Sequence, residues 1–351
     1  MPLVDVSYAP TAFRLLNGVF CAVKESGVTS SDLLKSIGTS LAHDLNQFEQ
    51  RPIRERVVIE GNPIIDPELR VVKKMSYADH PLVVGPRYQP QDFDLHNANR
   101  IGLRTSGLTV IGIGRTGRQL AQILSESNFV KTYEVKCKFG RATDNYFVSG
   151  RTREKTTFGR VMHERFRRLL ARTVTQHRPM VYKAIGVDIH TQDGYELAAS
   201  GLVRPISEKT VPLLFNAKCT YFDPPDFTIE VQTANEEEEF IGSLVHGLGL
   251  RSRTTAAIST LNCIRYGYFT MEKALLPKYW TVEHVINNIT AYQHLTTPGK
   301  LCPSTPALQK LDVSAVSRNR NELEMIDAGR SEHRHSLTDR PIPLNASVLD
   351  E

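Results

Sequence analysis

The order of strand-like and helix-like segments most restricts what this chain can fold into. One helix is predicted where Thr29, Ser30 or Ser31 caps a run with apolar residues at helical spacing, and another over residues 157–175. Strand-like segments lie at 57–59, 108–113, 133–139, 218–222, 227–232 and 267–271. Because strands outnumber helices and do not alternate with them regularly, the sequence predicts an α+β fold, with helices flanking a mixed, mostly antiparallel sheet.

A glycine motif leaves a different fold open. Gly112, Gly114 and Gly117 form a G-x-G-x-x-G between the strand at 108–113 and a helix predicted around 119–124, and Glu134 follows near where a ribose-binding acid would lie. The motif permits a dinucleotide-dependent oxidoreductase. No run of further strand–helix units follows it, so the sequence favours a plain strand-to-helix turn.

Composition excludes several classes of protein. The 351 residues are 40% apolar and 23% charged, which is typical of a globular chain rather than a disordered one. No apolar run approaches the length of a membrane span, so none is expected. The five cysteines include no C-x-x-C pair, which argues against a zinc ribbon and against a disulfide framework. We expect neither a metal ion nor a cofactor.

The two ends of the chain differ from its middle. The first residues lack the charged head and apolar run of a secretory signal, and they carry fewer arginines than a typical mitochondrial transit peptide. After about residue 296 the apolar periodicity gives way to prolines, serines and mixed charges, which cannot offset the entropy of ordering. We therefore expect a folded domain over 14–295 and a flexible polar tail over 296–351.

A basic segment predicts a polyanion as partner. Residues 151–172 hold eight lysines and arginines against two glutamates, a net charge of +6, whereas the whole chain has only +5. Such a concentration favours phosphate contacts, for which Arg165, Arg167 and Arg168 are the candidates. The alternative is a solvated helix face, which is what most charge runs are.

Eight short motifs follow one another between residues 17 and 290. They are GVFCAVKESGVTS at 18–30, HPLVVGP at 80–86, RIGLRTSG at 100–107, KTY at 131–133, GRATD at 140–144, PMVY at 179–182, YELAASGLVRP at 195–205 and the stretch at 254–275 that contains RYGYF. Their content and order resemble the TruB family of RNA pseudouridine synthases. The resemblance is greatest to the animal mitochondrial branch, which lacks the PUA domain.

The resemblance implies the pseudouridine synthase fold, with a central RNA-binding cleft, and the chemistry of the family. A uridine is flipped out of the RNA, and its uracil is detached from the ribose, rotated and rejoined through carbon 5. A carboxylate paired with an arginine acts at the sugar–base linkage, and a tyrosine stacks on the base. Tyr133 occupies the tyrosine position. The alternative, a core tyrosine in a strand, is disfavoured by the matching residues Lys131, Thr143 and Asp144. The other substrate-binding positions are Arg100, Ser106, Tyr182, Leu244 and Arg265.

The sequence departs from the family at the positions that carry the chemistry. Gly102 occupies the position of the catalytic aspartate, and Ala199 and Gly242 occupy arginine positions. Asp92 and Asp94 are nearby acids, but an extended chain would leave them far from position 102. The glutamates at 236–239 are expected to repel an RNA backbone. The catalytic residues are therefore unknown, and impaired chemistry is expected.

Three functions remain open from the sequence. The first is a mitochondrial RNA-binding relative that has lost the family's chemistry. The second is an active mitochondrial pseudouridine synthase (an RNA-modifying isomerase) that acts on mRNA or rRNA, and the third is a dinucleotide-dependent oxidoreductase. The missing aspartate favours the first. The resemblance implies mitochondrial mRNA or rRNA as partner, the mitochondrial matrix as location, and association with RNA-processing proteins.

Overall fold

The computed structural model describes residues 7–61, 70–200 and 212–301. Its helices are α1 (Ala9–Leu15), α2 (Ser30–Gln47), α3 (Pro81–Val84), α4 (Gly114–Glu126), α5 (His163–Ile185), α6 (Gln192–Ser200), α7 (Glu238–Arg251), α8 (Val282–Tyr292) and α9 (Pro298–Leu301). Its strands are β1 (Gly18–Lys24), β2 (Glu55–Glu60), β3 (Arg70–Met75), β4 (Leu95–Asn97), β5 (Thr105–Ile113), β6 (Lys131–Phe139), β7 (Arg141–Thr143), β8 (Thr152–Lys155), β9 (Leu213–Asp223), β10 (Asp226–Ala234), β11 (Ala256–Tyr266) and β12 (Phe269–Thr270).

Within the described part of the chain, the main sheet has eight strands in the order β1-β5-β11-β6-β10-β9, with β4 beside β5 and β12 beside β11. Every pairing in it is antiparallel except the short parallel contact between β5 and β11. The predicted α+β class with a mixed, mostly antiparallel sheet is therefore confirmed.

Two strand predictions need correction. The segment at 57–59 is a strand, but β2 pairs with β3 in a separate hairpin whose apolar side chains Val57, Ile59 and Val71 are exposed. The segment at 267–271 contains only the two-residue β12, whereas the long β11 just before it was not predicted. Polar residues and a register shift between Ile258 and Thr260 interrupt the alternation that identifies a half-buried strand.

The glycine motif is a strand-to-helix turn. β5 ends at Ile113 and α4 begins at Gly114, while β5 lies antiparallel to β1 instead of within a parallel sheet. A Cβ at Gly112 would overlap the carbonyl of Gly117, and one at Gly117 would overlap the carbonyl of Gly18. The glycines thus allow α4 to pack closely on β1 and β5. The oxidoreductase interpretation loses its structural basis.

The predicted helices are present with different limits. α2 begins where expected, because the Thr29 side chain accepts a hydrogen bond from the backbone N–H of Asp32, and it buries Leu33, Ile37 and Leu41. The helix predicted over 157–175 instead spans His163–Ile185 and continues through Pro179. A proline inside a helix normally ends or kinks it, so packing against β9 overrides the local preference here.

Apolar side chains cover both faces of the sheet. One cluster, with Phe20 and Ile111, joins β1 and β5 to α2 and α8, while the other, with Val19 and Leu108, joins the opposite face to α4, α5 and α7. Burial extends to Ala9 and Leu301, slightly beyond the predicted 14–295 domain. All described residues belong to one unit, Met1–Leu308. Within the described ranges, no helix is long and apolar enough to cross a membrane. Residues 302–351, most of the predicted tail, lie outside the described residues.

Candidate functional site

A cavity of about 220 Å³ opens beside position 102. Three successive glutamates contribute to its wall, so we call it the glutamate-lined cavity. It is lined by Arg100, Ile101, Gly102, Thr105, Tyr133, Glu236, Glu237, Glu238 and Ile241. Three positions that the sequence assigned to the site, 100, 102 and 133, therefore lie together.

Strand register brings these distant segments together. Gly107 of β5 pairs with Cys263 of β11, which pairs with Tyr133 of β6. On its other side Tyr133 pairs with Val231 of β10, and β10 leads directly into α7. The loop before β5, the first residues of β6 and the start of α7 consequently meet at one end of the sheet.

Tyr133 is fixed by Glu236. Its hydroxyl donates a hydrogen bond to Oε1 of Glu236 at 2.6 Å, and Nζ of Lys131 donates to the same oxygen at 2.8 Å. The residue is 3% exposed, and its burial and the neighbouring charge of Glu236 raise the pKa of Tyr133 well above its ordinary value. The phenol therefore stays neutral, with its proton directed at the carboxylate.

Glu238 occupies the space in front of Gly102. Its Oε2 accepts hydrogen bonds from the backbone N–H of Arg104 at 3.0 Å and from the hydroxyl of Thr105 at 3.1 Å. A Cβ at position 102 would overlap this Oε2 and would lie 2.7 Å from Cδ and 2.9 Å from Cβ of Glu238. A carboxylate from α7 thus lies where a side chain at position 102 would begin.

Lys24 supports the loop that carries Gly102. The side chain is fully buried, and Nζ donates hydrogen bonds to the carbonyls of Glu25, Gly102, Leu103 and Thr105 at 2.8–3.2 Å. Burial lowers the pKa of Lys24, and the negative charge of Glu238 acts in the opposite direction. Lys24 lies in the first of the eight motifs, at 18–30.

The two positions where the family carries arginine present no guanidinium to this cavity. Ala199 is exposed on α6 and does not line the cavity. Gly242 is buried on α7 and lies against the Tyr146 ring. A Cβ at position 242 would lie only 2.7 Å from Cδ2 of Tyr146. A long side chain at 242 would have to displace that ring.

Four other predicted substrate-binding residues lie outside the cavity lining. The hydroxyl of Ser106 donates to the carbonyl of Leu261 at 3.3 Å within the sheet. Tyr182 is buried on α5, and Leu244 packs against the core from α7. Arg265 is half-buried, its Nε donates to the carbonyl of Gly267 at 2.7 Å, and burial lowers its pKa. Their assignment to substrate remains a prediction.

A second cavity, of about 250 Å³, lies at the other end of α7. Its described lining includes five arginines and no carboxylate, and we call it the arginine-lined cavity. The arginines are Arg160, Arg165, Arg168, Arg172 and Arg251. The predicted backbone contacts Arg165 and Arg168 belong to it. Arg167 does not, and its guanidinium lies 3.6 Å from the carboxylate of Glu164.

The acids upstream of Gly102 lie elsewhere. The carboxylate of Asp92 accepts a hydrogen bond from the backbone N–H of Gln89 at 2.8 Å, and that of Asp94 lies 2.7 Å from Nε2 of His96. Both residues line another cavity, together with Arg14. Neither supplies a carboxylate to the glutamate-lined cavity.

The sequence interpretation missed Glu236 and Glu238 as residues of the site. It treated the run at 236–239 only as a source of repulsion. Their position in the sequence could have identified them. Acidic residues directly after a strand are favourable in the first turn of a helix, and α7 begins there. Within the described ranges, no group of three or more His, Cys, Asp or Glu side chains is placed to hold a metal ion.

Comparison with known proteins gives related sequences over most of the chain. Residues 103–237 match the family model described as TruB family pseudouridylate synthase (N terminal domain). The chain is 31% identical to mitochondrial pseudouridylate synthase TRUB2 of Homo sapiens over 281 residues, covering 79% of this chain and 84% of the relative. For TRUB2 of Xenopus tropicalis the identity is 30% over 278 residues, covering 78% and 84%. For human pseudouridylate synthase TRUB1 it is 25%, covering 87% and 76%.

Solved structures resemble the chain more distantly. The archaeal box H/ACA sRNP Nop10-Cbf5 complex contains a chain with 12% identity and a TM-score of 0.40, covering 85% of this chain and 62% of that one. A crystal structure of a pseudouridylate synthase gives 14% identity and a TM-score of 0.27, covering 74% and 68%.

Proposed function

Because the chain belongs to the TruB family of pseudouridylate synthases, we propose that it binds RNA and holds a flipped-out uridine in the glutamate-lined cavity. The observation that carries this proposal is the meeting of Arg100, Gly102 and Tyr133 in one cavity. Tyr133 offers an aromatic ring for stacking on an unpaired base. Arg100 supplies a positive charge at the rim for the adjoining phosphate.

The arginine-lined cavity supports a path for the RNA backbone. Ile241 lines one cavity and Arg251 the other, and the ten residue steps along α7 from one to the other span about 15 Å. A strand that places a uridine beside Tyr133 reaches the arginines within a few nucleotides. When these arginines neutralise RNA phosphates, the counterions bound to the phosphates are released. This release would provide most of the salt-dependent affinity, which the acidic cavity itself cannot supply.

The chemistry of the family is impaired in this proposal. Position 102 has no side chain, and positions 199 and 242 have no guanidinium to aim a carboxylate at the sugar. Loss of a catalytic acid or base costs several orders of magnitude in rate. The protein then acts as an RNA-binding member of the family, with mitochondrial mRNA or rRNA as its partner.

A second candidate function, active pseudouridine synthesis, is favoured by Glu238. Its carboxylate overlaps the start of the missing side chain, and two hydrogen-bond donors hold one of its oxygens. The other oxygen lies 3.9 Å from Nη1 of Arg104, so a guanidinium is also near. In this candidate the carboxylate is supplied by α7 instead of the loop before β5.

One experiment separates the two functions. The full chain is incubated with stem-loop RNAs that carry a uridine in the loop, and binding and pseudouridine are both measured. The proposed function predicts binding without detectable pseudouridine. Turnover by the unmodified chain that is lost in Glu238→Gln and retained in Glu239→Gln would establish the second function. Absence of RNA binding at low salt would contradict both.

Location and protein partners are part of the same proposal. The TRUB2 relatives are named mitochondrial, which supports a mitochondrial location. We place the protein in the matrix, with RNA-processing proteins there as its partners, as part of this proposal. Fractionation of cells that express the full chain, followed by RNA cross-linking, tests this assignment. A protein confined to other fractions would contradict it.

A further inference from the structure

One oxygen of a buried carboxylate in the glutamate-lined cavity has no partner among the residues that the structure describes. The Glu236 side chain is only 2% exposed, and its Oε1 accepts hydrogen bonds from both Tyr133 and Lys131. Its Oε2 is buried, and none of the described residues donates a hydrogen bond to it. Such an oxygen is costly to leave unsatisfied, and a carboxylate oxygen can only accept.

A ligand in the glutamate-lined cavity can supply the missing donor, because Glu236 lines that cavity. The side chain of Glu236 belongs to the wall of the glutamate-lined cavity and cannot turn away without losing two hydrogen bonds. Its neighbours Glu237 and Glu238 are carboxylates and offer no donor. Arg100 and Thr105 also line the cavity, but neither donates to Oε2 of Glu236, and the Thr105 hydroxyl donates to Glu238 instead. A ligand that presents an N–H at this position satisfies the oxygen, whereas one that presents a lone pair is repelled.

We propose that Oε2 of Glu236 accepts a hydrogen bond from N3–H of a uracil base, which makes Glu236 a specificity-determining residue for uracil over cytosine. This inference rests on the proposed function, which brings a uridine into the cavity. In a uridine, N3–H is the single N–H donor of the base. Cytosine carries an unprotonated N3 at the same position and directs a lone pair at the carboxylate.

Glu236→Gln reverses the polarity of this contact while preserving its shape. Tyr133 and Lys131 are donors, so they retain the amide oxygen of the glutamine, and the NH₂ group then takes the place of Oε2. That group donates to N3 of cytosine and opposes N3–H of uracil. Glu239→Gln is the matched control, because Glu239 is exposed, does not line the cavity and makes the same change of charge.

The test measures binding of the full chain to four stem-loop RNAs that differ at one loop position. That position is uridine, cytidine, N3-methyluridine or adenosine. The unmodified chain and Glu239→Gln should bind the uridine RNA at least about tenfold more tightly than the cytidine and N3-methyluridine RNAs. Glu236→Gln should lose this preference or favour cytidine.

The unmodified chain tests the inference even if Glu236→Gln fails to fold. Equal binding of the uridine and cytidine RNAs by the unmodified chain would overturn the inference and leave RNA binding intact. A uridine preference that persists in folded Glu236→Gln would also overturn it. Failure of all four RNAs to bind would overturn both this inference and the proposed function.

Discussion

Replacing Gly102 by alanine tests whether Glu238 really occupies the space in front of that position. The added Cβ would overlap Oε2 of Glu238 and lie 2.9 Å from its Cβ. The glutamate must therefore swing out and release the backbone N–H of Arg104 and the hydroxyl of Thr105. The start of α7 must also move by a few tenths of an ångström.

The cost follows from those contacts. Hydrogen bonds to a partly exposed charged group contribute roughly 1 kcal/mol each, and overpacking adds about 1 kcal/mol. The lower entropy of unfolded alanine relative to glycine returns about 0.5–1 kcal/mol. We expect Gly102→Ala to lower the free energy of unfolding by about 2 kcal/mol, and the melting temperature by about 4 °C.

A double-mutant cycle isolates the contact. Glu238→Gly removes all three nearest atoms, so Gly102→Ala should cost nothing in that background, which leaves a coupling energy of about 2 kcal/mol. Urea unfolding followed by circular dichroism measures all four proteins. Gly247→Ala is the matched control, because among the described residues no atom outside the adjoining backbone of α7 lies within 4 Å of its added Cβ. Alanine there should stabilise α7 by up to about 1 kcal/mol. Equal costs of Gly102→Ala in both backgrounds would refute the placement of Glu238.

Three further outcomes are expected. Lys24→Met should lower the free energy of unfolding by about 3 kcal/mol and speed amide hydrogen exchange in the loop before β5, since four carbonyls lose their donor. Unchanged exchange would contradict the role of Lys24 in holding this loop. The double variant Arg165→Glu, Arg168→Glu should weaken RNA binding and reduce the slope of log affinity against log salt concentration by about 0.7–0.9 per lost phosphate contact. Arg167→Glu should change this slope less, because Arg167 lies outside the arginine-lined cavity. Equal slopes for the two variants would contradict the proposed path of the RNA backbone. Hydrogen bonds from the backbone N–H of Arg54 and from Arg87 and Arg51 lower the pKa of Asp79 from 3.8 to about 2. The ionised Asp79 therefore stabilises the fold fully above pH 3.8, and this stabilisation is lost as the pH falls through about 2. Over this interval the free energy of unfolding should fall less in Asp79→Asn than in the unmodified chain, and identical curves would exclude the effect.

Local patterns predicted the parts of the fold that depend on neighbours in sequence. The cap at Thr29 and the spacing of Leu33, Ile37 and Leu41 define α2 without tertiary information. The glycine motif was predicted as a turn because no parallel strand–helix series follows it. β11 was missed because its strand pattern is interrupted at a register shift, and only its partners β5 and β6 reveal it.

The candidate site depends on contacts between residues that are far apart in sequence, which local patterns do not predict. Sequence order located Gly102 and Tyr133 through their motifs, but it could not show that Glu238 reaches Arg104 and Thr105 across more than a hundred residues. Repulsion of RNA was the natural expectation for four adjacent glutamates. Two of them instead accept hydrogen bonds in the cavity, because the turn from β10 into α7 points them at β6 and at the loop before β5.

Photochemical cross-linking of a stem-loop RNA with a single 4-thiouridine in its loop tests most directly whether the uridine enters the glutamate-lined cavity. Irradiation of the complex with the full chain, followed by mass spectrometry of the linked peptides, identifies the residues that touch the base. We expect links to peptides that contain Tyr133, the loop at 100–105 or the start of α7. Links confined to α5 or to the β2–β3 hairpin would contradict the placement of the uridine in this cavity.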